Sequence, residues 1–295
     1  MKILLAGRGG QVGGELERLL PALGELSATD RAQLDLADPE AIRRTVRALR
    51  PELIVNATAY NAVDQAESDT HAAMQVNGVA PGILAEEARR LGALLIHFST
   101  DYVFDGEKST PYTEDDRPAP LGAYGRSKLA GEEAIRAAGA RALIFRTAWL
   151  YSERRDNFVL TMRRLALQKP ELRVVADQTG APTWAKPLAQ AVARICDLAR
   201  TRRDLGEGAP VYHASCGGET TRFEFVRAIV AAVAAASPCR PLARLTPVAS
   251  AEFPSPARRP RYSVLSGEKL RRDFGVQLPE WRAALDTFFR ETEWT

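Results

Sequence analysis

The sequence predicts an α/β fold, a doubly wound parallel sheet followed by a smaller C-terminal lobe. Three observations carry this. Apolar runs of four or five residues alternate with helical patterns through the first half, a glycine-rich turn joins the first run to the first helix, and prolines crowd the second half. Strands buried on both faces read as continuous apolar runs, and parallel neighbours need crossover helices. Right-handed crossovers then wind the chain into a sheet covered on both sides.

Lys2-Ile3-Leu4-Leu5-Ala6 is the first strand, 11–22 a helix and 25–29 the second strand. Asp38-Pro39 opens a helix near 39–49, because Asp caps the free N–H groups and Pro suits the first turn. Leu53-Ile54-Val55-Asn56-Ala57 is a third buried run, with helices around 70–91 after it. The strand Leu94-Leu95-Ile96-His97-Phe98, a helix over 122–138 and the strand Ala142-Leu143-Ile144-Phe145 complete the alternation. Prolines at 170, 182, 187, 210, 238, 241, 247, 254, 256 and 260 then break the rhythm. Helices are expected at 156–168, 185–201, 221–236 and 280–291, with Val211-Tyr212-His213-Ala214 a late strand of the main sheet. This divides the chain into a dinucleotide-binding domain over 1–150 and a substrate-binding lobe over 151–295. Segments near 185–201 and 211–216 return to the main sheet.

Composition narrows the function classes. The 295 residues are 45% hydrophobic and 26% charged, with a net charge of +3, and no basic run stands out. Neither nucleic acid nor a membrane surface is an expected partner. Cys196, Cys216 and Cys239 are odd in number and widely spaced, which argues against a disulfide framework and fits a reducing cytoplasm. His71, His97 and His213 show no ligand spacing with them, so no zinc site is expected. The MKILLAG start is too short an apolar run for a signal peptide, and no stretch nears the roughly 20 apolar residues of a membrane span. The expected location is the cytoplasm.

The turn after the first strand points to a dinucleotide. Gly7, Gly10 and Gly13 give a GxxGxxG spacing between strand and helix. Glycine allows the tight turn and close backbone approach, and the helix N-terminus favours a pyrophosphate. Asp30 follows the second strand, where a carboxylate accepts from ribose hydroxyls and repels a 2′-phosphate, which argues for NAD. Adjacent Arg31 suits that phosphate instead, so the cofactor is NADPH or NADH. Asp35-Leu36 lies where a loop can hold the adenine edge, or where Asp caps a helix. Ala57 and Ala59, within Asn56-Ala57-Thr58-Ala59-Tyr60, are small residues at a carboxyl strand end, where backbone can approach a ligand.

The catalytic signal is Tyr124-Gly-Arg-Ser-Lys128. A Tyr and a Lys four apart share one helix face, and a nearby cation favours the phenolate. Such a pair alone is weak, since most are a surface Tyr beside a solvated Lys. Ser99-Thr100-Asp101 closes the preceding strand and adds a hydroxyl within reach. A Thr100–Tyr124–Lys128 set suits carbonyl reduction. Thr orients the carbonyl, Tyr supplies the proton, and Lys lowers the phenol pKa while holding the nicotinamide ribose.

These features resemble the extended short-chain dehydrogenase/reductase superfamily. The blocks GRGGQVGGEL, VNATAYNAVDQAES, HFSTDYVFDG, LGAYGRSKLAGE, FRTAWLY, DQTGAPT and PARRPRYS narrow the resemblance to the dTDP-4-dehydrorhamnose reductase family, over nearly the whole chain. The resemblance implies a Rossmann-like fold and NAD(P)H-dependent reduction of the C4 keto group of a dTDP-sugar, in rhamnose and cell-surface polysaccharide precursor synthesis. It implies Tyr124 as proton donor, Lys128 as its helper and Thr100 as the residue tuning the phenol. Gln11 and Val12 fall in the family's diphosphate loop, Asp30, Asp35 and Leu36 at its adenosine positions, and Ala59, Tyr60 and Asn61 in its nicotinamide-side loop. Thr100, Asp101 and Trp149 match its sugar-nucleotide contacts. Tyr60 departs from an expected His, and Phe98 from a common Tyr. Some members form a homodimer bridged by Mg2+ through acidic residues. Glu15 matches one such position, but Lys186 replaces the other acid, which argues against a like-for-like bridge.

A nucleoside-diphosphate sugar calls for Arg at its phosphates, and Arg259 in PARRP is the first candidate, with Arg258 and Arg261 beside it. Arg146 reads as structural, Trp149 as a flat surface for sugar or base or as core, and Gln178, Thr179 and Thr183 as polar loop contacts. Asp64, Gln65 and Glu67 read as loop structure. Two alternatives stay open: another sugar-nucleotide reductase or epimerase of the superfamily, and a non-catalytic binding protein like the regulatory subunit of methionine adenosyltransferase.

Overall fold

The structure, a computed structural model, describes residues 1–295 except 203, 237–239, 293 and 295, so Cys239 and Pro238 lie outside the described residues. In the first half β1 (Lys2–Ala6), α1 (Gln11–Leu19), β2 (Glu25–Thr29), α2 (Pro39–Leu49) and β3 (Leu53–Asn56) follow the expected alternation. They lead to α3 (Thr70–Met74), α4 (Ala80–Leu91), β4 (Leu94–Thr100), α5 (Ala123–Ala138) and β5 (Ala142–Thr147). The second half holds β6 (Leu150–Tyr151), α6 (Phe158–Gln168), β7 (Glu171–Val175), β8 (Thr179–Gly180), β9 (Thr183–Trp184) and α7 (Ala185–Leu198). It closes with β10 (Val211–His213), β11 (Thr220–Thr221), α8 (Arg222–Ala236), β12 (Arg244–Val248), α9 (Glu268–Phe274) and α10 (Trp281–Glu291).

Six strands form one parallel sheet in the order β2-β1-β3-β4-β5-β10. Its direction of winding reverses at β1, which pairs with β2 on one edge and β3 on the other. Alternation along β1 feeds two cores. Ile3 and Leu5 pack with α1 and α7, while Leu4 and Ala6 pack with α2, α4 and α5. The switch point, where open sheets of this kind take ligands, therefore lies at the carboxyl ends of β1 and β3.

Several boundaries differ from the sequence reading. α1 gives way to a tighter turn at Leu20–Ala22 around Pro21. The helices expected around 70–91 are α3 and α4, joined by a π-helical turn, Gln75–Val79. β7 and β12, a parallel pair, were not expected, because Pro247 argued against a strand; in a two-stranded ribbon its missing N–H costs no ladder bond. α9 was also not anticipated. Among the described residues no helix is long and apolar enough to cross a membrane.

Candidate active site

The glycine turn forms a cradle at the end of β1. Gly7 has φ +96°, and the N–H groups of Gly7 and Arg8 both donate to Thr29 O, at 2.9 and 3.0 Å. A Cβ at Gly13 would lie 2.0 Å from Gly7 O, so only glycine lets α1 start this close to the strand. Gly10 caps α1 without a side chain, which leaves the first-turn N–H groups open to an anion. Gln11 brings a buried amide oxygen with no protein partner. The open N–H groups fit a dinucleotide diphosphate, whereas the Gln11 oxygen can only accept from a donor such as a ribose hydroxyl.

The adenosine-side residues divide. Asp30 accepts from the N–H groups of Ala32 and Gln33, at 3.0 and 3.2 Å, so its carboxylate shapes the turn after β2. Arg31 is exposed, 3.8 Å from Asp35, whose other oxygen accepts from Ala37 N at 2.9 Å. The Leu36 side chain is core. Ala57 packs against Gly7, Ala59 and Asn61 are exposed, and Tyr60 is half-buried with its hydroxyl 3.1 Å from Asp69.

The structure brings Thr100 and Tyr124 together. Gly125 explains how: a Cβ there would lie 2.2 Å from Tyr102 O, so glycine lets α5 lie against the end of β4. Glu67 fixes the start of α5 by accepting from Ala123 N at 2.7 Å. Tyr124 lines a cleft with Val63, Glu67, Tyr102, Leu121 and Arg258, and Tyr102 meets its ring edge-on at 5.8 Å. Burial pushes the Tyr124 phenol above its ordinary value, and the Thr100 hydroxyl hydrogen-bonded to it pulls the other way. The one hydroxyl proton of Thr100 lies between the phenol and Asp101 Oδ1, 3.0 Å away, and its oxygen accepts from Tyr102 N at 3.2 Å.

Lys128 differs from expectation. Its Nζ turns inward, donating to Phe98 O at 2.5 Å beside His97 Nε2 at 3.4 Å. In a dry interior the ammonium takes the backbone carbonyl that lies within reach. Burial lowers Lys128 to about 8, against the pull of Glu132 one turn along the helix. Glu132 itself takes two bonds from Arg146, at 2.9 and 2.7 Å, and one from Ser99 at 2.5 Å, so Arg146 is structural as read.

On the substrate side Asp101 is buried with Oδ2 unpartnered in the protein. Burial raises it to about 6, opposed by the hydroxyls of Ser263 and Thr100 and by the Arg222 charge. Trp149 is half-buried with φ +44°, and the Arg222 guanidinium lies 4.1 Å over its ring. Arg259 pairs with Asp64 at 2.7 Å, with Ser255 as a further partner. Asp64 also accepts from Ala257 N at 3.2 Å.

Glu15 has arginine neighbours. It is buried on α1, 3.4 Å from Arg18 and 4.0 Å from Arg154, and Lys186 pairs with Glu291 at 2.6 Å. Arginines around the carboxylate repel a cation, and among the described residues no three His, Cys, Asp or Glu side chains converge as a metal-holding group.

Sequence reasoning missed Asn77 and Arg222. Asn77, in the π-turn, accepts from Tyr60 N at 2.9 Å, and its NH2 donates to Tyr60 O at 2.9 Å and to Ser127 Oγ at 3.0 Å. It clamps the Tyr60 loop to α5. Its only signal was a lone Asn-Gly inside an apolar helical run. Arg222 Nε donates to Gln178 Oε1 at 2.8 Å, and Nη2 lies 3.4 Å from Tyr102 OH. Nothing local to its position marked it.

A doubly wound sheet with a glycine cradle at the switch point, and a hydroxyl and a tyrosine at the next strand end, defines a dinucleotide-binding protein of the short-chain dehydrogenase/reductase type. The model of the RmlD substrate binding domain matches residues 1–293. A dTDP-4-dehydrorhamnose reductase of Burkholderia thailandensis is 47% identical, with 99% of each chain covered. The crystal structure of the Clostridium acetobutylicum dTDP-4-dehydrorhamnose reductase matches with TM-score 0.90 and 35% identity, covering 98% of this chain and 99% of that one. The Bacillus anthracis enzyme, crystallised with NADP, matches with TM-score 0.89 and 34% identity, covering 99% of both chains. The chain belongs to the RmlD substrate-binding-domain family.

Proposed function

We propose that the chain reduces dTDP-4-dehydro-L-rhamnose to dTDP-L-rhamnose with a nicotinamide cofactor. The observation that carries this reading is the Thr100–Tyr124 pair at a cleft, on the sheet whose first strand ends in the glycine cradle, in a chain so close to named reductases. The reduced nicotinamide, when bound, supplies the hydride that reaches C4. The open N–H groups of α1 hold the diphosphate, and Asn77 steadies the Tyr60 loop beside it. Tyr124 gives its hydroxyl proton to the C4 oxygen as negative charge develops there. A phenol held above its ordinary pKa stays protonated until that moment, and the Thr100 hydroxyl stabilises the phenolate left behind.

Asp101 and Trp149 take the sugar nucleotide, between the sheet and the second half of the chain, with Arg259 a further ligand for its phosphates. The NADP complex of the B. anthracis relative and exposed Arg31 both favour NADPH. Cys196 and Cys216 are buried, unpaired thiols, which suits a reducing cytoplasm. Turnover of dTDP-4-dehydro-L-rhamnose against NADPH and NADH, each with and without chelator, tests the reading. Stoichiometric oxidation of NADPH, unaffected by chelator, is expected. No oxidation with either cofactor rejects a reductase.

A further inference from the structure

A row of buried polar side chains runs beneath the catalytic helix. The backbone N–H and the hydroxyl of Thr58 both donate to Asn56 Oδ1, at 3.2 and 2.5 Å. A backbone N–H can only donate, so the amide oxygen of Asn56 faces Thr58 and its NH2 faces the opposite way. That NH2 lies 3.2 Å from His97 Nδ1. Nδ1 therefore accepts, and in a neutral imidazole the proton then sits on Nε2. His97 is fully buried, and burial together with the Lys128 charge holds it neutral. Its Nε2 is 3.4 Å from Lys128 Nζ.

We propose that His97 is a positioning residue for Lys128: Asn56 fixes its tautomer, and the Nε2–H it aims at the lysine nitrogen favours the amine over the ammonium. An N–H opposite an NH3+ group finds nothing to accept it, whereas opposite an NH2 group it finds the lone pair. Burial acts in the same direction. The charge acting on Lys128 is Glu132 on the same helix, itself tied to Arg146 of β5 and Ser99 of β4. The neutral groups around it are His97 and the Phe98 carbonyl from β4, Asn56 from β3 behind His97, and Tyr124 one turn earlier on α5. Lys128 then loses its proton near working pH; as the ammonium is the form that would hold the nicotinamide ribose, that loss sets the alkaline limit of turnover.

This rests on the reductase reading of Tyr124 and Lys128, so its test needs a readout that does not depend on turnover. The full chain, labelled with 15N-histidine and 15N-lysine, is followed by NMR from about pH 6 to about pH 10, across the lysine titration. His97 is expected to stay neutral with Nδ1 bare and Nε2 protonated. Asn56→Asp, whose carboxylate can only accept, moves the proton to Nδ1 and raises the Lys128 midpoint by about one pH unit or more. The alkaline limb of kcat/KM moves up with it. A wild-type His97 carrying its proton on Nδ1 overturns the proposal, and so does an unchanged Lys128 midpoint in folded Asn56→Asp. Should that variant fail to fold, the wild-type tautomer decides alone. The expected tautomer and midpoint in a protein that turns over no keto sugar would reject the reductase reading and leave this one standing.

Discussion

Replacing Asp101 by Asn tests the buried carboxylate at the end of β4. Burial raises Asp101 from 3.8 to about 6. A carboxyl whose folded pKa lies above its unfolded value binds its proton more tightly in the folded state, so stability falls as pH rises between the two values. The span is about 2 pH units, equivalent to about 3 kcal/mol once both forms are ionised. About 2 kcal/mol of that loss falls between about pH 4.5 and about pH 7.5. Asn keeps the size and the hydrogen-bonding oxygen but never ionises. Asp101→Asn should therefore gain on wild type by about 2 kcal/mol on going from the lower pH to the higher. Urea unfolding of both proteins at the two pH values gives the double difference, in which every other titrating group cancels. A double difference near zero, or one of opposite sign, would refute burial as the cause of the raised value.

Other consequences follow from particular contacts. Glu132→Gln strands the Arg146 charge in the core beneath α5 and should cost about 3–5 kcal/mol in urea unfolding; a loss below about 1 kcal/mol would show that the pair relaxes to water. Asn77→Ala removes three bonds from the Tyr60 loop and from Ser127 and should cost about 1–3 kcal/mol, with weaker NADPH binding by titration calorimetry. Asp64 is held below the ordinary carboxylate range first by its bond to Arg259. Its stabilisation is present above the unfolded pKa and fades as pH falls through the folded one. Asp64→Asn should thus cost less than about 1 kcal/mol at neutral pH, because the pair is half-exposed, and nothing in acid. An equal cost in acid and at neutrality would remove the ion pair from the account.

What could be read from the sequence was local. The strands and helices of the first half carry their own apolar periods, and Gly7, Gly13 and the Tyr124–Lys128 spacing sit in one continuous stretch each. What could not be read depends on contacts between distant segments. Pro247 argued against β12, because the two-stranded ribbon that tolerates it is a tertiary fact. The pairing of Arg259 with Asp64 spans nearly two hundred residues, and no local pattern reports it. Lys128 has the right face of α5, but the carbonyl it bonds belongs to β4, thirty residues away, and no helical pattern reports that. Arg222 reaches the cleft only because β11 and β8 pair beside Trp149.

The central claim is that the Tyr124 hydroxyl protonates the ketone. It is tested most directly by Tyr124→Phe in single turnover with saturating NADPH and dTDP-4-dehydro-L-rhamnose, alongside NADPH binding by fluorescence. The account predicts unchanged NADPH affinity and a chemical step slower by about a hundredfold or more, the scale of a lost general acid. A variant that binds NADPH and reduces the keto sugar at the wild-type rate would contradict it.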